Sequence, residues 1–77
     1  MNATGRKVIA EVLQALEDLK GKVSDLKDEE QAKFDNMPDS LQQGEAGQKM
    51  EEVASGLEEV ESSLDDATSR LEDVLNG

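Results

Sequence analysis

An all-α fold is predicted for this chain: an antiparallel two-helix hairpin with a coiled-coil-type seam, assembling into a four-helix bundle or larger oligomer. Three observations predict it. From Met50 to Gly77 one seven-residue unit is written four times, as MEEVASG, LEEVESS, LDDATSR and LEDVLNG. Earlier in the chain, Ile9, Val12, Leu16, Leu19, Val23 and Leu26 recur at the same alternation of three and four, the spacing that puts apolar side chains along one stripe of a helix. Between these segments stands the only proline, in Asn36-Met37-Pro38-Asp39-Ser40, which reads as a turn.

Taken in order, Asn2 or Thr4 is placed to cap a first helix over about 4–36. Val8 and Leu13 widen its stripe, and a stripe broader than one seam contacts more than one neighbour. After Leu26 the strict register calls for Glu30 and Lys33. Phe34 takes up the apolar face instead, two steps of four from Leu26, which predicts a local shift of register. The turn is assigned to residues 37–44. Within it, the segment from Pro38 to Gln43 is short enough to make one helical turn that folds Met37 and Leu41 over the end of the core.

Gly44 and Gly47 flank the entry to a second helix over about 45–76, which closes on Asn-Gly. Its repeats place Met50, Leu57, Leu64 and Leu71 at position a of the heptad and Val53, Val60, Ala67 and Val74 at d. The predicted seam is therefore Ile9, Val12, Leu16, Leu19, Val23, Leu26 and Phe34 against Met50, Val53, Leu57, Val60, Leu64, Leu71 and Val74. Val8, Leu13, Ala54 and Leu75 lie beside it, and a second hairpin would cover them. Gly21 reads as a tolerated surface glycine, and Gly56 as a close approach between helices. The chain, residues 1–77, is one domain, and a domain this short gains stability from self-association, as a dimer or larger.

The formal net charge is −11 and it is unevenly spread. Residues 1–27 hold five bases and four acids, whereas residues 28–77 hold fifteen acids against Lys33, Lys49 and Arg70. Glu51, Glu52, Glu58, Glu59, Asp65, Asp66, Glu72 and Asp73 occupy b and c, opposite the seam, and Glu61 adds to them. At the helical rise, nine acids between Glu51 and Asp73 amount to roughly one charge per 3.7 Å, near the roughly 3.4 Å spacing along one DNA strand. Such a field repels nucleic acid and anionic membrane and attracts basic protein surfaces. A face kept only for solubility normally mixes signs.

With no histidine, cysteine or tyrosine, the chain lacks the usual bases and nucleophiles, so no enzyme, catalytic residue or cofactor is expected. Glu-x-x-His metal motifs are impossible without histidine, and no stretch fits a calcium-binding loop, so no metal ligand is assigned. The N-terminal segment lacks the apolar run of a signal peptide and no stretch suits a membrane span, which makes a soluble cytoplasmic protein the expectation.

The central stretch DEEQAKFDNMPDSLQQGEAGQKMEEV resembles small acidic helical-hairpin proteins of phages and prophages, with Asn36, Pro38, Asp39, Leu41 and Gln42 as its most specific part and residues 28–75 covered. The resemblance implies a phage accessory protein working in the host cytoplasm and supplies no activity. The function expected is a non-enzymatic interaction or inhibitor protein that presents an acidic helix to a basic, nucleic-acid-handling host protein. Two alternatives stand beside it: a structural homo-oligomer whose acids serve solubility, and an oligomeric nucleotide sponge with Arg6, Lys7 or Arg70 at a subunit junction.

Overall fold

A computed structural model describes residues 2–77. The protein is all-α, with α1 (Ala3–Asp35), a single turn α2 (Asp39–Gln42) and α3 (Glu45–Asn76). It measures 58 × 15 × 12 Å, the length of one long helix and the width of two.

Each boundary has a local cause. Asn2, in extended conformation, accepts the Gly5 N–H through Oδ1 at 2.7 Å, so Asn2 rather than Thr4 is the cap of α1. α1 ends where Pro38 disfavours further helix, with Asn36 N–H donating to the Ala32 carbonyl. Pro38 then opens α2, whose two first bonds run from Leu41 and Gln42 N–H to the Pro38 carbonyl. Gly44 is the extended residue before α3. At the other end, Gly77 N–H donates to the Asp73 carbonyl as a continuing helical bond, without a left-handed residue.

Two of the expectations for the turn need correction. Met37 is half-buried, but Leu41 is 50% exposed and does not cover the end of the helices. Gln42 does so instead: it is half-buried and its Nε2 donates to the Phe34 carbonyl at 2.9 Å, which ties α2 to the last turn of α1. The close approach lies at Gly47 and not at Gly56. A Cβ on Gly47 would overlap the Gln42 backbone, at 2.7 Å from its Cα, whereas a Cβ on Gly56 or Gly21 meets nothing within 4 Å. Gly47 is accordingly one of two buried residues among those described, the other being Thr68.

The half-buried positions of the long helices follow a different stripe from the predicted one. On α1 they are Gly5, Ile9, Leu13, Leu16, Lys20, Val23, Lys27, Glu30 and Phe34, with Ser24 beside them; on α3 they are Met50, Ala54, Leu57, Glu61, Leu64, Ala67, Leu71 and Leu75, with Gly47 and Thr68 buried. In heptad terms these are a and e rather than a and d, except for the small residues Gly5 and Ala67 at d and Ser24 at b. In this frame the register never shifts, because Phe34 follows Lys27 and Lys20 at e and Glu30 takes a. The e positions contribute charge as well as apolar surface, with Lys20 against Asp65 and Lys27 against Glu61.

Candidate interaction faces

Packed through a and e, the helices divide the predicted seam in two. Ile9, Leu16, Val23, Phe34, Met50, Leu57, Leu64 and Leu71 are half-buried. Val12, Leu19, Leu26, Val53, Val60 and Val74 are exposed, by between 41% (Val12) and 54% (Val74). Of the residues expected beside the seam, Leu13, Ala54 and Leu75 are half-buried and Val8 is exposed. No large apolar side chain among the described residues is fully buried. Apolar burial contributes roughly 25 cal/mol per Å², so half-covered side chains realise only part of their possible contribution.

Polar groups fill the rest of the a/e stripe. Lys27 Nζ lies 2.8 Å from Glu61 Oε1, an oxygen shielded from water that has no other partner among the described residues. Lys20 Nζ bonds Asp65 Oδ1. Both lysines are held protonated above their ordinary range, Lys20 chiefly by its hydrogen bond to Asp65 and Lys27 chiefly by its hydrogen bond to Glu61, with partial desolvation opposing. Thr68 Oγ1 donates to the Leu64 carbonyl at 2.8 Å, which satisfies its hydroxyl inside its own helix.

The acidic positions of α3 therefore fall into two sets. Glu61 and Asp65 are engaged with lysines of α1, and Asp66 Oδ2 accepts from Arg70 Nε at 3.0 Å one turn on. Glu51, Glu52, Glu58, Glu59, Glu72 and Asp73 are exposed and make no ion pair among the described residues. Those six form two free acidic stretches at either end of α3, separated by a paired middle. Sequence reasoning counted the nine as one ladder because cross-helix partners are invisible in a heptad plot.

Arg6 and Lys7 are exposed at the start of α1, while Arg70 is occupied by Asp66. An open hollow lined by Glu45, Ala46, Gln48, Lys49 and Glu52 lies at the start of α3. No helix among the described residues is long and apolar enough to cross a membrane. No family model matches the chain, and neither the curated proteins nor the solved structures contain a match.

Proposed function

We propose that this chain is a non-enzymatic interaction protein: an antiparallel helical hairpin, assembling into a four-helix bundle or larger, that offers the acidic side of α3 to a basic protein surface. On the resemblance of its turn, it would be a phage accessory protein and its target a basic protein of the host. The observation that carries the reading is the division of the acids. Glu51, Glu52, Glu58 and Glu59 lie in two successive heptads, exposed and without basic partners among the described residues, although lysines are present and are used elsewhere. A face meant only to keep a helix wet is best served by internal Glu–Lys pairs, and this one omits them.

The test reverses Glu51, Glu52, Glu58 and Glu59 to lysine. These four make no ion pair within the chain, so helicity persists. Binding to a model basic surface, such as an arginine- and lysine-rich protein captured at low salt, is lost in the variant and weakens steeply with ionic strength in the wild type. Equal binding by both proteins would reduce the acidic side to a solvated face.

A further inference from the structure

The exposed apolar row has a single side. α1 and α3 exchange ion pairs at positions that rise in one helix and fall in the other, Lys20 with Asp65 and Lys27 with Glu61, so their chain directions oppose. Reversing one helix mirrors the order of its heptad positions. With a and e in contact, the d and g rows of both helices then lie on the same side of the pair, and the b and f rows on the other. Val12, Leu19 and Leu26 from α1 and Val53, Val60 and Val74 from α3 thus form one continuous apolar face, every member at least 41% exposed.

We infer that this d/g face is where a second copy of the chain docks, face to face. The inference rests on the self-association proposed above and names the surface that performs it. Area is the first argument. The described residues expose 5629 Å², whereas a compact monomer of 8.4 kDa exposes about 4600 Å². The excess of about 1000 Å² matches what one partner contributes to a stable interface, about 800 Å².

Charge is the second argument, and it chooses between the two sides. Among the acids of α1 and α3, Glu29 alone stands at d or g, while Lys33 stands at d and Lys22, Lys49 and Arg70 stand at g. The neighbouring c row supplies Glu11, Asp18, Asp25, Glu45, Glu52, Glu59, Asp66 and Asp73. Each edge of the face therefore carries both signs, so the bases of one copy meet the acids of the other. The opposite side holds Glu17, Asp28, Asp35, Glu51, Glu58, Asp65 and Glu72 with Lys7 as the one base, and two copies meeting there would repel. Docking through d and g also turns the b row of each copy outward, so the dimer would present two acidic faces on opposite sides.

The absence of cysteine permits a clean test on the full chain. Single thiols are introduced by Val60→Cys, at d, and by Ser62→Cys, at f, and alkylation rates are measured alongside sedimentation equilibrium of the unmodified protein. A dimer in which the Val60→Cys thiol reacts at least about tenfold more slowly than the Ser62→Cys thiol, and recovers on dilution below the dissociation constant, supports the inference. Equal rates in a dimeric protein overturn the face but leave self-association standing. A folded monomer at high micromolar concentration overturns self-association itself. Leu19→Glu combined with Val60→Glu raises the dissociation constant by at least about 100-fold if the face is right, since both charges would be buried unpaired. An unchanged constant in that variant would sink the inference without any thiol chemistry.

Discussion

Lys27 and Glu61 meet from e positions of α1 and α3, Nζ to Oε1 at 2.8 Å, and each is the other's means of tolerating a half-buried site. A charge on either side left alone would keep its desolvation cost without its attraction. Glu61→Lys should therefore lower the melting temperature by more than removal of an exposed acid such as Glu59. Exchanging the partners in the double variant Lys27→Glu with Glu61→Lys should recover most of the loss. Thermal unfolding followed by circular dichroism checks the cycle, and a double variant no better than the single would mean that the pair is incidental.

The same contact predicts an alkaline limit. Lys27 and Lys20 are raised from an ordinary value of 10.5, by hydrogen bonds to Glu61 and Asp65 respectively. A raised lysine contributes stability that is fully present below its unfolded pKa and is lost as pH rises through its folded one. Wild-type stability should hold to about pH 10 and decline above it, and the decline should be shallower in Lys20→Met with Lys27→Met. Denaturant titrations at pH 7, 9 and 11 would measure the difference.

The glycines separate by what surrounds them. Gly21→Ala adds a methyl in open space and should stabilise the helix by about 0.5–1 kcal/mol. Gly47→Ala drives a methyl into the Gln42 backbone and should cost about 1–3 kcal/mol, because backbone cannot step aside as a flexible side chain can. Chemical denaturation of the two variants is sufficient to rank them.

At the start of α1, Asn2→Ala removes the acceptor of the Gly5 N–H and should cost about 1 kcal/mol, read as fraying of the first turn in hydrogen exchange. Asn2→Asp should retain the cap.

In the core stripe, Leu16→Asp or Leu64→Asp puts an unpaired carboxylate at an a position half-covered by the other helix. Both should abolish the cooperative melting transition, since no fully buried apolar side chain among the described residues is left to compensate.

Helix limits and turn were legible in the sequence because they depend on neighbours in the chain: Asn2, Pro38 and Gly44 act within a few residues of where they stand. The contact stripe was not. Hydrophobicity ranks Val12, Leu19 and Leu26 above Lys20, Lys27 and Glu30, yet the second set is the more covered: Lys20 and Lys27 meet opposite charges on the facing helix, and Glu30 pairs with Lys33 of its own helix. Thr68 escaped notice in the same way, although Ala54, Glu61 and Leu75 mark the row it belongs to. Phe34 looked out of register only while d was taken as the inner row. Gly47 was recognised as an entry residue, but the overlap of its side-chain position with the Gln42 backbone is visible only when α2 is folded back. The exposed acids were legible as a face; which of them are free was not.

The fold of α2 over Gly47 has a consequence for the chain's alternatives. Two helices of nearly equal length joined by a few residues can exchange partners with a neighbour if the joint straightens into continuous helix, giving a rod about twice as long in which each half pairs with another molecule. Straightening here means releasing the Gln42 amide from the Phe34 carbonyl and lifting α2 off Gly47, against a proline that resists helix at the residue before it. The small turn thus acts as a guard against domain swapping, and it is at this joint, not along the helices, that the chain is kept from growing into open-ended filaments.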